Sequence, residues 1–405
     1  MTAVSFPAKV RPPVSLVLLL GSMAALPAIT TDLYLPSLPA VADDLDSSQT
    51  LVQATITGVL VGGAIGQLLT GPLSDRFGRR LPVMVGFGLH VVVSVLCALT
   101  PGIWPLVVLR VLQGVGNATA TVTAMAVIRD RYTGSGASVL MSRLMLVIGV
   151  APLFAPTAGG LIAGWWGWRA TFVVLAVLGA VMIAVVALAL PETLPPERRR
   201  REGLGGAARS YRALLGDRQF MALAVLPGLA LGAIISYVAG SPFVFQEQYG
   251  LTETQFALIF ALNGAGLVGG AQINAALMGR FTPLGVIRVV APTSAVLGIW
   301  LLSVAMSAGD GTGGLIALLV PLFLLISVNS LLMPNASALA LSKHGERAGA
   351  AAALVGSLQA GIAGTVSPLV GALGGNGAAM ATVMLGTVLT ALVIVAVATP
   401  AYRRT

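Results

Sequence analysis

This sequence predicts an all-helical membrane protein of about twelve spanning helices, arranged as two pseudo-symmetric six-helix halves. Three observations carry that prediction: very little charge, a chain divided into apolar runs, and one polar break near its middle. Of 405 residues, 57% are hydrophobic and 9% charged, against roughly 25% charged in soluble domains. A soluble surface needs more polar side chains than this, and lipid is the remaining place for so much apolar surface.

A hydrocarbon core of about 30 Å takes about 20 apolar residues per helix. Apolar runs between charged or Pro/Gly-rich breaks fall at 14–36, 49–71, 81–100, 103–129, 136–163 and 167–190, then at 218–240, 252–276, 284–307, 313–340, 345–373 and 376–398. The abundant Gly and Ala suit close helix packing in lipid. The first run is long and no small-residue cleavage site follows it, so it is expected to stay as span 1. Cys97 stands alone in span 3, with no partner for an internal disulfide.

The net charge of +9 is explained by topology. With the N-terminus in the cytoplasm, the cytoplasmic segments hold Lys9, Arg11, Arg76, Arg79, Arg80, Arg129, Arg131, Arg198 to Arg201, Arg209, Arg212, Arg218, Arg280, Lys343, Arg347, Arg403 and Arg404. Arg143 and Arg288 fall in the first turns of spans 5 and 9, at the same side. The outer loops keep Arg169 alone, with Asp43, Asp44, Asp46, Glu247, Glu253 and Asp310. This positive-inside pattern fits an even span count with both termini inside the cell. It leaves no basic surface that asks for nucleic acid.

The longest polar segment, Pro191 to Arg218, contains PETLPPERRRREGLGG. It reads as a cytoplasmic linker (191–217) between an N-terminal bundle (1–190) and a C-terminal bundle (218–405). A degenerate echo supports duplication: span 2 ends in GPLSDRFGRR, and span 8 ends in MGRFTPLGVIR. In the first of these, Gly71 and Pro72 are expected to end the helix. Asp75 is expected near a helix N-terminus, with Arg76, Arg79 and Arg80 beside Gly78 free to pair with it or to reach anionic headgroups.

That loop resembles the signature between spans 2 and 3 of the major facilitator superfamily, where it is thought to act as a cytoplasmic latch. Three further segments narrow the resemblance: Thr31-Asp32-Leu33-Tyr34-Leu35-Pro36-Ser37-Leu38-Pro39, Leu109 to Asn117 with Ile128-Arg129-Asp130-Arg131-Tyr132, and Ala151-Pro152-Leu153-Phe154-Ala155-Pro156-Thr157-Ala158-Gly159-Gly160. With PETLPPERR, they resemble the Bcr/CflA drug-resistance branch of twelve-span drug/proton antiporters. The match is strong across the N-terminal half and linker and thinner in the second half, where SPFVFQEQYGL and FALN carry it. The resemblance implies two bundles around a central cavity, and export of small, mostly lipophilic drugs in exchange for protons. No cofactor is implied, and the expected partners are substrate, protons and the bilayer, with the chain working as a monomer. Pro152, Pro156, Gly159 and Gly160 resemble the antiporter signature that bends span 5 against span 8. Ala155 stands where that signature usually has Gly.

Proton coupling needs a titratable group reachable from each side in turn. Among the acids, only Asp32 is expected within the membrane. Low dielectric disfavours its charged form, and intramembrane acids default to functional hypotheses; the competing reading is an interfacial acid at an early end of span 1. Asp32 lies roughly 27 Å along span 1, and Arg110 roughly 11 Å below the outer end of span 4, at 1.5 Å per residue. Both therefore sit in the outer half of the membrane, where Arg110 would favour the ionised carboxylate and tune its proton. Arg110, Gln113, Asn117 and Thr121 share one helical face, read as cavity wall or as interhelical bonding. Ala28 and Leu35 share the face of Asp32, with Thr31 at its flank. Where some relatives carry a second acid, this chain has Ala24, which favours single-proton exchange.

The second half offers Tyr237, Asn263, Asn329 and Gln359 as polar pocket candidates or satisfied helix contacts. His90, mid-span 3, reads as a packed structural residue. The competing functions are a dedicated exporter of one endogenous metabolite, a proton-coupled importer, and a membrane-embedded enzyme. The last would need clustered acids, His or Cys, or a Gly-rich nucleotide site with its Lys. The sequence has no such grouping, so neither a metal site nor an enzyme is expected.

Overall fold

The computed structural model describes residues 13–132, 134–199, 203–278, 280–307, 309, 311–342 and 347–398. Lys9, Arg11, Arg200, Arg201, Glu202, Asp310, Lys343, Glu346, Arg403 and Arg404 lie outside the described residues, as does the side chain of Pro152. In chain order the helices are α1 (Val14–Asp32), α2 (Leu38–Asp44), α3 (Gln49–Phe77), α4 (Arg80–Ala98), α5 (Ile103–Arg131), α6 (Gly134–Trp166) and α7 (Trp168–Ala189). After α8 (Gly203–Leu215) come α9 (Arg218–Pro242), α10 (Glu253–Leu277), α11 (Pro283–Ser307), α12 (Thr312–Asn329), α13 (Leu332–Leu341), α14 (Ala348–Val366), α15 (Leu369–Ala372) and α16 (Gly377–Ala398). No strand occurs among the described residues. Among the described residues, twelve stretches are long and apolar enough to cross a membrane, and each overlaps one predicted run.

The lipid-facing surface explains the composition. On α7, Val173, Val177 and Val181 are exposed at every fourth residue, while Phe172, Leu175 and Val186 are buried. Both faces are apolar, as a helix between protein and hydrocarbon requires.

Within the first half α3 packs on α5, α5 on α4, α4 on α7, and α1 on α6 and α5. Within the second, α9 holds α13, α14 and α16, while α11 packs on α12 and α16, and α12 on α10. The halves meet where α3 packs on α14 and α6 on α10. These seams join spans 2 and 11 and spans 5 and 8, so exchanging the halves turns one pair into the other. That is the arrangement a duplicated bundle pair produces.

The tightest contact, α3 on α5, is written in glycine. Gly58, Gly62 and Gly66 recur at every fourth residue of α3 and lie against the α5 backbone at Val107, Val111 and Val115. Gly114 of α5 returns the approach onto the Val59 carbonyl. Small residues at such spacing let backbones touch, the main source of helix attraction in lipid.

Gly71 and Pro72 do not end the helix as expected. α3 runs through them to Phe77 and stops at Gly78, whose φ of 93° few other residues adopt. Pro72 lacks the N–H that would bond the Leu68 carbonyl four residues back. The Tyr211 hydroxyl of α8 donates to that carbonyl at 3.1 Å. A linker side chain therefore makes the bond that proline cannot, and the helix continues.

Candidate functional site

The end of the bundle holding residues 13 and 398 is called here the terminal end, and the opposite one the distal end. α1 finishes at Asp32 near the distal end, earlier than the predicted limit at residue 36. The chain continues from Asp32 as a buried 3-10 turn, Leu35–Ser37, and then α2. Asp32 is 7% exposed and has no hydrogen bond or ion pair among the described residues. Its neighbours do not compete for the carboxylate, since Thr30 and Thr31 donate their hydroxyls to the carbonyls of Leu26 and Pro27. Asp32 lies within electrostatic reach of Tyr237 on α9, in the other half of the molecule. Leu35 is fully buried beside it in sequence, and Ala28 is half-buried one turn before.

Arg110 is fully buried on α5. Its Nη1 donates to Gln113 Oε1 at 2.6 Å and to the Thr30 carbonyl at 3.3 Å. Tyr34 and Phe172 form an aromatic corner around it, with ring centroids 4.8 and 5.6 Å from the guanidinium carbon. Arg110 and Asp32 form no ion pair here, although Arg110 touches the α1 backbone two residues before the acid. The expected contact is thus absent from this conformation, because the guanidinium is committed to the aromatic corner and to Gln113.

The face carrying Gln113 and Asn117 turns inward to its own bundle. Gln113 Nε2 donates to Ser94 on α4 at 2.7 Å, and Asn117 lies beside His90 on the same helix. Of the two readings of this stripe, interhelical bonding is the one observed for Gln113, while the Asn117 amide is buried without a hydrogen-bond partner among the described residues. His90 packs against Gly116 and Gly179 and meets the Leu175 carbonyl at 3.2 Å.

In the second half, Asn263 donates to the Tyr237 hydroxyl at 3.1 Å, and the Tyr237 ring stacks on Phe260 at 5.5 Å. Asn263 Oδ1 is buried without a partner. These two residues share a cluster that reaches Asp32. Asn329 is instead spent on a helix contact, donating to the Ala230 carbonyl at 2.8 Å, and Gln359 donates to the Met333 sulfur. In span 5, Pro156, Gly159 and Gly160 are buried. Gly159 presses on the Leu33 carbonyl of span 1, while Gly160 faces Glu253 of α10, so this helix bears on span 1 as well as on span 8.

The expected latch is assembled at the terminal end, with partners beyond the loop itself. Arg79 bonds Asp75 at 2.7 Å, Asp130 at 2.8 Å and Ser74 at 2.9 Å. Burial opposes the Arg79 charge, but the Asp130 and Asp75 bonds outweigh it and hold the guanidinium above its ordinary value. Arg76 lies over its neighbour Phe77, and Gly71 has no close packing partner. Glu192, just after span 6, accepts from the backbone N–H groups of Arg79, Leu194 and Arg80, and Thr193 donates to Asp130. Sequence reasoning placed Glu192 in a linker and Asp130 at an interface. The only signal for their role was that acids stand in a region otherwise rich in arginine.

Burial raises the Glu192 carboxyl, yet those three donors prevail and hold it below its ordinary range. A depressed carboxylate contributes stability above its unfolded value of about 4.5 and loses it as the pH falls through the folded value. Glu192→Gln is expected to weaken this partly exposed lock by on the order of 1 kcal/mol. Hydrogen exchange at Arg79, Arg80 and Leu194, corrected for intrinsic rate, should then show protection falling roughly fivefold. Acidification below about pH 4.5 should reproduce that loss in the wild type alone.

At the distal end, hydrogen bonds tie the halves together. Gln49 donates to Glu247 at 2.7 Å, Gln246 to the Pro36 carbonyl at 3.3 Å, Thr57 to the Gly364 carbonyl at 2.7 Å, and Gly371 N–H to Gln53 at 2.9 Å. Asp44 and Arg169 form an ion pair there that also receives the Trp168 indole N–H.

The model of the major facilitator superfamily matches residues 19–368, nearly the whole helical chain. The chain belongs to the major facilitator superfamily. It is 37% identical over 359 residues to the uncharacterized MFS-type transporter YdgK of Bacillus subtilis, covering 88% of each chain. To the bicyclomycin resistance protein homolog of Haemophilus influenzae it is 28% identical, covering 88% of this chain and 89% of the other. Further relatives are named for multidrug and chloramphenicol resistance. This superfamily member also shares the fold of the solved D-xylose-proton symporter, with a TM-score of 0.72, 18% identity, and coverage of 94% of this chain and 96% of that one. Its family and its twelve candidate spans make it a multi-pass membrane transporter.

Proposed function

We propose that this chain is a proton-coupled antiporter that exports small lipophilic drugs and antibiotics, amphenicol-like or bicyclomycin-like, with Asp32 as proton carrier. The observation that supports this reading is the Asp32 carboxylate. It is buried, without a bonding partner among the described residues, and within electrostatic reach of Tyr237 of the opposite half. A buried carboxylate without a partner is costly, and taking up a proton or meeting a substrate would relieve the same cost. Ala28, Thr31, Leu35, Tyr237 and Asn263 would border the pocket, whose apolar walls and sparse polar groups suit drug-sized ligands. The bundles 1–190 and 218–405 would rock about the seams, joined by the linker 191–217. The distal hydrogen bonds and the assembled latch around Arg79 would together hold the present state, and rocking would break the distal bonds. In this reading the protein sits in the cell membrane with both termini in the cytoplasm. It works as a monomer, is not an enzyme, and draws on the proton gradient with no cofactor.

Proteoliposomes carrying a pH difference test the reading. Chloramphenicol, bicyclomycin and a cationic dye such as ethidium serve as probes. At least one should accumulate on the acidic side, and adding it should release protons from the protein. Accumulation on the alkaline side would establish symport and remove the proposal.

A further inference from the structure

Arg110 is a fully buried cation with no carboxylate bonded to it, and its Nε and Nη2 have no hydrogen-bond partner. A buried guanidinium in that condition is pulled toward any acid it can reach, and Asp32 lies two residues beyond the Thr30 carbonyl it already touches. The groups opposing that pull are visible. Tyr34 and Phe172 come from different helical segments, their rings are 5.1 Å apart, and both lie beneath the guanidinium. Aromatic faces attract a desolvated cation. Tyr34 is itself held, since its hydroxyl accepts from Thr55 at 3.3 Å, and Phe172 is braced by Trp168.

We infer that Tyr34 and Phe172 are positioning residues: their rings keep the Arg110 guanidinium away from Asp32 and leave that carboxylate free for the proton. The inference rests on the proton-carrier reading of Asp32. The other titratable or charged groups around the pair are few. Tyr237 of α9 is within electrostatic reach of Asp32, and Cys97 and His90 of α4 are within electrostatic reach of Arg110. On α7, Arg169 is tied to Asp44, and Glu253 of α10 sits against Gly160 and Gly164. Arg143 of α6 lies roughly 24 Å along its helix from Gly159. None of these displaces the aromatic corner as the group that decides where Arg110 goes.

Infrared titration of the protonated-carboxyl band, on the full-length protein in proteoliposomes, tests this without needing a substrate. The wild type should show a titrating band that disappears in Asp32→Asn. Tyr34→Leu and Phe172→Leu should each lower its midpoint by roughly 1–3 pH units, the effect of a cation brought close to a carboxylate. Tyr34→Phe and Phe172→Tyr, which keep the ring, should leave it in place. Adding Arg110→Gln to either leucine variant should abolish the shift, because the effect acts through the guanidinium. If the leucine variants do not fold, Arg110→Gln alone still decides: a cation held away from Asp32 predicts a change of less than about one unit, and a larger rise overturns the inference. A band absent from Asp32→Asn but unmoved by the leucine substitutions also overturns it, while the proton-carrier reading stands. A titrating band that survives Asp32→Asn overturns both.

Discussion

Asp32→Asn is expected to abolish proton-driven accumulation of substrate while leaving a folded protein. One pH unit across the membrane supplies about 1.4 kcal/mol per proton, enough for about a tenfold gradient of a neutral substrate in one-for-one exchange. Asparagine keeps the size and hydrogen-bonding capacity of the protonated acid but cannot titrate. The accumulation ratio should therefore fall to unity at every imposed pH difference, while exchange of labelled substrate between equal pools continues. Stability should not suffer. The carboxylate has no bonding partner among the described residues, so the substitution removes a buried charge without stranding another group, which is neutral or stabilising. The measurements are ratio against imposed pH difference, equilibrium exchange, and thermal denaturation in detergent. Uphill accumulation by the asparagine variant would show that the coupling group lies elsewhere.

The second large effect is expected at the crossing of α3 and α5. A side chain at Gly62 meets the Val111 carbonyl, and one at Gly114 meets the Val59 carbonyl. Both obstacles are backbone, so no rotamer change relieves the overlap and the helices must part. Gly62→Leu and Gly114→Leu should each cost more than about 3 kcal/mol, beyond the usual range for overpacking a core with flexible neighbours. Little folded protein should be recovered, with the loss visible as an early shift in size-exclusion profile and denaturation temperature. Gly63, one residue along, has open space around it, and Gly63→Leu should be tolerated. Equal damage at Gly62 and Gly63 would mean that helix propensity, and not backbone contact, governs this segment.

Residue patterns go a long way toward both results and then stop at identifiable places. Twelve spans and the polar break follow from where charge is scarce, because hydrocarbon tolerates little of it. The acid at Asp32 stands out by elimination for the same reason. The latch residues Asp75 and Arg79 were also legible, since opposite charges stand close together in one short loop sequence and do pair. Their outside partners, Asp130 and Glu192, were not, because both come from segments far along the chain. The Gly71–Pro72 pair looked like a helix stop, and a distant Tyr211 hydroxyl made it helix interior.

Helix rotation is where sequence pattern fails most clearly in this chain. In water a polar stripe faces the solvent, and its direction can be read from periodicity. In lipid the outside is apolar too, so the Arg110–Gln113–Asn117 stripe announces only that it avoids hydrocarbon. Whether it looks into a cavity or at a neighbouring helix depends on which helix stands there, and α4 does, with Ser94 and His90 presented to it. The same holds for Arg110 and Asp32. Their depths in the membrane follow from residue counting and the helical rise, and their charges from residue type. That Arg110 turns to Tyr34 and Phe172 while Asp32 comes within electrostatic reach of Tyr237 depends on packing between segments far apart in the chain. Sequence alone therefore determined that this is a chain of twelve candidate spans and singled out Asp32 among its acids, because solvent exclusion acts on composition. Only the tertiary structure decided which groups that acid and its neighbouring arginine meet, because contact directions depend on how the helices are assembled.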